Sequence, residues 1–144
     1  MAGEGVYVDS SVLGAYYCPE PLSAAAEVAL RKLTTPVISV LSEVEFCSLI
    51  ARKRRLKELS ERQAREILDL FGSHVAEGFY RRVSLNTDHF IHARLLVVST
   101  DSSLRTLDAL HLAVAITEAL TLMTADRDFA RAAKLKKRPT VLVH

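Results

Sequence analysis

Short apolar runs rich in β-branched residues alternate with longer segments of helical periodicity along the whole of this chain. The runs that are predicted as strands are Val6–Val8, Val37–Ser39, Tyr80–Leu85, Leu120–Thr124 and Thr140–Val143. Because parallel strands must be joined by crossovers, which are usually helical, this order favours a parallel sheet over hairpins. The alternation therefore predicts a three-layer α/β fold, in which a small, mostly parallel sheet of about four to five strands is flanked by helices.

Capping residues and prolines mark where the predicted helices begin and end. The first helix, Val12–Tyr17, is stopped by Pro19, and the second begins at Pro21–Ser23. The third helix is capped by Ser42 and runs to about Lys57, and the fourth is capped by Ser60 with Gln63 and runs to about Ala76. The fifth is capped by Asn86 or Thr87 and runs to Leu96. The sixth is capped by Thr106 and covers Leu107–Ala119, and Asp126 opens the last helix.

Length and composition favour one folded unit. The chain has 144 residues, of which 49% are hydrophobic, so we expect a single domain over residues 1–144 with a core of its own. Its longest nearly apolar run, Ala109–Ile116, is too short to cross a bilayer, and the first residues lack the basic character of a signal peptide. These features predict a cytoplasmic protein without membrane contact. Cys18 and Cys47 are not in C-x-x-C spacing, so we expect inert thiols and no zinc site.

Acidic residues follow the predicted strands or open the predicted helices. Asp9 ends the first strand, and Asp126 lies just past the end of the fourth. Asp108 lies in the first turn of a mostly apolar helix, and Glu43 and Glu45 lie near the start of the helix that follows the second strand. Taken singly, such acids can be explained by the helix dipole, which favours negative charge in a first turn. Taken together, they predict a cluster at one edge of the sheet.

A cluster of carboxylates needs compensating charge. Each pair at ~4 Å repels by about 4 kcal/mol at an effective dielectric constant near 20, so a folded protein must hold protons or cations there. Carboxylates with few histidines favour hard divalent ions such as Mg²⁺ or Mn²⁺. Such ions polarise phosphoryl oxygens and activate water, so the pattern predicts metal-assisted hydrolysis of phosphodiester bonds.

The acid-bearing segments resemble, in order and spacing, the four motifs of the PIN-domain nucleases. The segments that carry the resemblance are Val6–Leu13, Ile38–Phe46, Leu104–Ala113 and Thr124–Ala130, and together they extend over essentially the whole chain. Within that family, the size and the segment Leu107–Ala113 are most similar to the VapC-type toxins of bacterial and archaeal toxin–antitoxin pairs.

The resemblance implies a PIN-like fold and an endoribonuclease that depends on Mg²⁺, with Mn²⁺ as a substitute. It places the catalytic, metal-binding acids at Asp9, Glu45, Asp108 and Asp126, and adds Asp128 either as a further ligand or as an acid just behind the ligands. It also places polar groups near the metal at Ser10, Ser11 and Thr124. It also implies an RNA substrate, a cognate antitoxin and a homodimer. Counting residues from Ser39 favours Glu45 over Glu43, but helical periodicity leaves the choice open, because both flank the apolar stripe Val44, Cys47 and Ala51.

Basic residues and one histidine have both a structural and a functional interpretation. The run Arg52, Lys53, Arg54 and Arg55 can be a solvated surface or can bind an RNA backbone, as can Arg81 and Arg82. His111 shares a helix face with Asp108 and is predicted either to be packed in the core or to act as a general acid or base.

Two alternative functions remain open from the sequence, and a third is disfavoured. The chain can be a PIN-fold interaction module with an impaired site, or a PIN nuclease of RNA maturation that has no antitoxin. An aspartyl-phosphate phosphatase is disfavoured, because it needs a second Asp two residues after the first, where this chain has Ser11.

Overall fold

The computed structural model describes residues 5–99, 101 and 103–144, and their centre is a parallel β-sheet. Its strands are β1 (Val6–Val8), β2 (Val37–Ser39), β3 (Arg81–Val83), β4 (Thr121–Thr124) and β5 (Thr140–Leu142). They lie in the order β3-β2-β1-β4-β5, and every neighbouring pair is parallel. The predicted α/β class and parallel sheet are confirmed.

The described part of the chain contains seven helices. They are α1 (Ser10–Tyr17), α2 (Ser23–Arg31), α3 (Val40–Arg55), α4 (Glu61–Ala76), α5 (Thr87–Val97), α6 (Thr106–Thr117) and α7 (Arg127–Leu135). Ser60 and Asn86 cap α4 and α5 as predicted. Two predicted caps are wrong: Ser39 caps α3 and receives the backbone N–H of Ser42, and α6 is preceded by Arg105, whose side chain makes no capping bond. The strand β2 runs directly into α3, which leaves its last residue in the capping position.

The two faces of the sheet bury separate hydrophobic clusters, because successive strand residues point to opposite sides. Tyr7, Val37 and Leu122 face α5, α6 and α7, and their neighbours Val8, Ile38 and Met123 face the layer formed by α1 to α4. The result is the expected arrangement of three layers, with the sheet between two layers of helices.

Helix α3 buries a different face from the one that the sequence predicts. Val44 and Cys47 of the predicted stripe are exposed, and the buried residues are Ser42, Phe46 and Ile50. The ring of Phe46 lies 4.6 Å from that of Phe71 on α4, and this contact between large rings sets the orientation of the helix. The smaller Val44 and Cys47 are left facing outward.

In the described residues no helix is long and apolar enough to cross a membrane.

The direction in which the chain builds the sheet reverses beside β1. From β1 the chain adds β2 and β3 on one side, and later returns to place β4 and β5 on the other. In open parallel sheets, ligands bind beyond the carboxyl ends of the strands at such a reversal. The fold therefore predicts a site at the carboxyl ends of β1 and β4, next to the start of α3.

Candidate metal centre

Asp9 lies directly after β1, at the reversal in strand order, and its side chain is buried. One carboxylate oxygen, Oδ2, accepts hydrogen bonds from the hydroxyls of Ser11 at 2.6 Å and Thr124 at 2.8 Å. Ser11 in turn accepts the backbone N–H of Ala125, and Thr124 accepts that of Asp126. These bonds fix the orientation of Asp9 and connect it to the end of β4.

Glu45 reaches the same place from α3. Its Oε1 accepts hydrogen bonds from the hydroxyl of Ser10 and from Nε2 of His111, the latter at 3.0 Å. Ligand atoms of Asp9, Glu45 and His111 all lie within 4.8 Å of one another. Glu43 points elsewhere and forms a two-pronged ion pair with Arg82, at 2.8 and 3.0 Å. Glu45 is therefore the acid of this helix that lies beside Asp9.

Asp108 and Asp126 line an adjoining cleft of about 410 Å³. The cleft is bounded by Ser103, Leu104, Arg105, Asp108, Asp126, Asp128, Phe129 and Ala132. Asp126 caps α7 by accepting the backbone N–H groups of Asp128 and Phe129. The side chain of Asp128 is exposed and lies 3.3 Å from Arg131, so it stands at the outer rim of the cleft.

The pKa of Asp108 reflects electrostatic repulsion between the acids as well as burial. Burial, and then the charges of Asp9 and Asp126, raise its pKa to about 6, against a smaller lowering by His111. Burial also favours the neutral form of Glu45, but the hydrogen bonds from His111 and Ser10 outweigh it and bring the pKa of Glu45 below its ordinary value. Carboxylates from four separate segments of the chain thus share one electrostatic environment.

Replacing Asp108 by Asn is expected to stabilise the metal-free protein at pH 7. A folded-state pKa of about 6 lies above the value of about 3.9 in an unfolded chain, so stability falls as pH rises from 4 to 6. The full shift corresponds to nearly 3 kcal/mol, but the carboxyl is only half-buried, so solvent screening reduces the expected gain to about 1 kcal/mol.

Thermal unfolding in EDTA measures this effect, with an expected rise in melting temperature of about 3 °C for Asp108→Asn at pH 7. The rise should shrink as the pH is lowered towards 4. Asp69→Asn, which removes an exposed acid of α4, serves as the matched control and should leave the melting temperature unchanged. A lower melting temperature for Asp108→Asn at pH 7 would contradict the prediction.

The donor set fits a hard divalent cation. It offers carboxylate oxygens of Asp9 and Glu45 close to one ring nitrogen of His111. Burial, and then the charges of Asp9 and Asp126, raise the pKa of Asp108, and a positive ion would remove the part due to repulsion. Both thiols lie outside the described cluster of ligand atoms, with Cys18 buried and Cys47 exposed. The residues present therefore suit Mg²⁺ or Mn²⁺ better than zinc.

Of the two interpretations of His111, packing in the core is confirmed, but its bond to Tyr7 and the position of Arg105 were not predicted from the sequence. Tyr7 and His111 are fully buried and hydrogen-bonded to each other at 2.6 Å, and Arg105 lines the cleft beside Asp108. The place of Arg105, three residues before Asp108 at a helix start, is the only sequence signal that could have drawn attention to it. No local pattern connects Tyr7 with His111, which lies 104 residues later.

The basic run of α3 is mostly free of intramolecular partners in the described structure. Lys53 is the exception, because it lies 3.0 Å from Glu20 and 3.7 Å from Glu58. Arg52, Arg54 and Arg55 are exposed, and the last two line a shallow groove at the junction of α3 and α4. Cations in the last turn of a helix also stabilise its carboxyl end, so this position has a structural benefit as well.

Comparisons with known proteins identify the fold. The model of the PIN domain family matches residues 6–135. Among solved structures, VapBC2 from Rickettsia felis bound to a promoter DNA fragment has a TM-score of 0.73 at 16% identity, covering 96% of this chain and 98% of that one. VapC20 of Mycobacterium tuberculosis, described as a sarcin–ricin loop cleaving toxin, has a TM-score of 0.70 at 19% identity, covering 89% and 95%.

A third similar structure is a toxin–antitoxin complex from Klebsiella pneumoniae, with a TM-score of 0.62 at 19% identity, covering 88% of this chain and 91% of that one. No curated protein matches the chain significantly. At these identities the solved structures establish a shared fold over nearly the whole length.

Proposed function

This chain belongs to the PIN domain family, and on that premise we propose that it is a metal-dependent endoribonuclease and the toxin of a toxin–antitoxin pair. The observation that carries the proposal is geometric: ligand atoms of the buried Asp9 and of Glu45 lie within 4.8 Å of each other, and Asp108 and Asp126 line the adjoining cleft. Burial, and then the charges of Asp9 and Asp126, raise the pKa of Asp108 to about 6. A protein has little reason to maintain this repulsion unless a cation is meant to relieve it.

Asp9, Glu45, Asp108 and Asp126 would hold one or two divalent ions, with Asp128 as an additional acid at the rim. When bound, Mg²⁺ or Mn²⁺ supplies charge stabilisation for a phosphoryl oxygen and makes water a better nucleophile. The expected products are a 5′-phosphate and a 3′-hydroxyl.

The remaining polar residues of the site orient the acids or meet the substrate. Ser11 and Thr124 hold one oxygen of Asp9, so its carboxylate keeps a fixed direction before any ligand enters. Arg105, which lines the cleft, offers guanidinium N–H groups to phosphate oxygens, a geometry that suits this anion well. Arg52, Arg54 and Arg55 add positive charge along α3 for the RNA backbone.

A cleavage assay on RNA and on single-stranded DNA of the same sequence, with and without EDTA, tests the proposed activity. We expect Mg²⁺ or Mn²⁺ to support cleavage of the RNA and EDTA to stop it, because the proposed mechanism needs the ion to stabilise charge on the phosphoryl oxygens. Cleavage that persists in EDTA, or that prefers DNA, would contradict the proposal. A calorimetric titration with Mn²⁺ separates it from an interaction module with an impaired site, for which no binding at millimolar metal is expected.

We propose an antitoxin and a second copy of the chain as protein partners. The antitoxin is supported by the Klebsiella pneumoniae structure, which is described as a toxin–antitoxin complex. This chain exposes Phe90, Ile91 and Leu95 on α5 and Val98 directly after it, a group of apolar side chains of the kind that protein contacts bury. The gene of an antitoxin would lie next to the gene of this protein, whereas a nuclease of RNA maturation would have no such neighbouring gene.

A further inference from the structure

A buried chain of hydrogen bonds lies directly beneath the acids. The hydroxyl of Tyr7 lies 2.7 Å from that of Ser39 and 3.2 Å from that of Ser42, and 2.6 Å from Nδ1 of His111. The other ring nitrogen of His111, Nε2, lies 3.0 Å from Oε1 of Glu45. Tyr7 and His111 are both 0% exposed, so the chain runs from the centre of the core to the candidate metal centre.

Each residue of this hydrogen-bond network belongs to a segment that also supplies one of the acids. Tyr7 is two residues before Asp9, and His111 is one helical turn after Asp108. Ser39 and Ser42 form the start of α3, the helix that carries Glu45. The network therefore joins the three elements β1, α3 and α6 at a single point and sets the position of their acids relative to one another.

The direction of the last hydrogen bond follows from its partners. An ionised carboxylate can only accept, so Nε2 of His111 carries the proton and donates it to Glu45. In the neutral ring Nδ1 then accepts the hydroxyl proton of Tyr7, and the Tyr7 oxygen accepts from Ser39 or Ser42. Within this hydrogen-bond network, every polar side-chain group thus has a partner, as buried polar groups require.

We propose that His111, itself held by Tyr7, is a positioning residue that fixes the carboxylate of Glu45 for the metal. The proposal rests on the function proposed above, since it takes Glu45 as a ligand. Groups that donate a hydrogen bond to a ligating carboxylate hold it in one orientation, and this reduces what the carboxylate must lose in freedom when the ion binds. Among the described contacts, Glu45 accepts hydrogen bonds from Ser10 and His111. If an apolar side chain replaced His111, Ser10 would be the remaining donor.

The chain contains a matched control for this role in His89. This histidine is also 0% exposed, but it lies on α5, where Nδ1 accepts the backbone N–H of Asn86. Its Nε2 has no hydrogen-bond partner among the described residues, and its nearest acid is Glu118 at 3.8 Å, which belongs to no proposed ligand set. Loss of this ring should affect stability without affecting the metal.

The test combines a calorimetric titration with Mn²⁺ and thermal unfolding of the metal-free proteins. We expect His111→Leu to weaken Mn²⁺ binding by about 10- to 100-fold, the effect usual for removal of a group directly behind a metal ligand. Tyr7→Phe, which removes the hydroxyl that holds the ring of His111, should weaken Mn²⁺ binding to a smaller extent. His111→Gln, whose amide can still donate to Glu45, should retain most of the affinity. His89→Leu should lower the melting temperature but bind Mn²⁺ as the wild type does.

Wild-type affinity in His111→Leu and Tyr7→Phe would overturn the inference, and so would an equal loss in His89→Leu or in His111→Gln. If His111→Leu fails to fold, Tyr7→Phe and His111→Gln still decide the matter. A wild-type protein that binds no Mn²⁺ would instead overturn the metal centre itself, so the two failures can be told apart.

Discussion

Replacing Asp9 by Asn is expected to reduce RNA cleavage by about a thousandfold, while the fold is preserved. A bound metal contributes several kcal/mol of transition-state stabilisation, and each 1.36 kcal/mol corresponds to a factor of ten in rate. Asp9 is the most buried of the proposed ligands, so water cannot replace its charge at the site. Asn keeps an oxygen that can accept from Ser11 and Thr124, which preserves the local hydrogen bonds.

The measurement is the initial rate of RNA cleavage in saturating Mg²⁺, together with the circular dichroism spectrum of each protein. Asp69→Asn changes the same charge on the exposed surface of α4 and should cleave at the wild-type rate. Full activity in Asp9→Asn would show that Asp9 is not a ligand and would remove the central residue of the proposed site.

Raising the salt concentration is expected to weaken RNA binding steeply. Four exposed cations stand at the end of α3 and just beyond it, at Arg52, Arg54, Arg55 and Lys57, since Lys53 is paired with Glu20. With about four phosphate contacts and a slope of about 0.7 per contact for single strands, the affinity should fall about 50-fold between 50 and 200 mM salt. Fluorescence anisotropy with a short labelled RNA, in EDTA so that the strand stays intact, measures this.

A double variant, Arg54→Ala with Arg55→Ala, should reduce the slope of the salt dependence by about 1.4, because two contacts are lost. The matched control replaces Arg31 of α2 and Arg94 of α5 by Ala, which removes the same net charge from exposed arginines that do not line the groove at the junction of α3 and α4. If both double variants change the slope equally, the RNA does not contact α3, and the run serves only the helix end.

The layout of the fold could be predicted because its signals are local. Strand runs such as Val37–Ser39 and the capping pairs at Ser60 and Asn86 each lie within a few residues, and the structure contains them. The apolar face of α3 was predicted wrongly, because Val44 and Cys47 match the helical period but Phe46 finds a larger partner in Phe71, 25 residues later. Which face a helix buries depends on the rings that it meets, and these come from other segments.

The candidate site shows the same division. The positions of Asp9 and Asp126 at strand ends follow from the sequence, because strand ends can be read locally. The choice between Glu43 and Glu45 could not be made from the period of the helix, since it depends on Arg82 of β3 and on His111 of α6. The hydrogen bond between Tyr7 and His111 was equally out of reach, because only the folded sheet brings β1 and α6 together.

The order of the strands also bears on what happens while the chain is being made. The central strand β1 pairs with β4, and Thr124 at the end of β4 lies 115 residues after Asp9, to which its hydroxyl donates a hydrogen bond. A nascent polypeptide therefore carries an incomplete set of acids until β4 and Asp126 have been synthesised. Under the proposed function, a growing chain could not cleave RNA near its own ribosome before that late segment has emerged and joined the sheet.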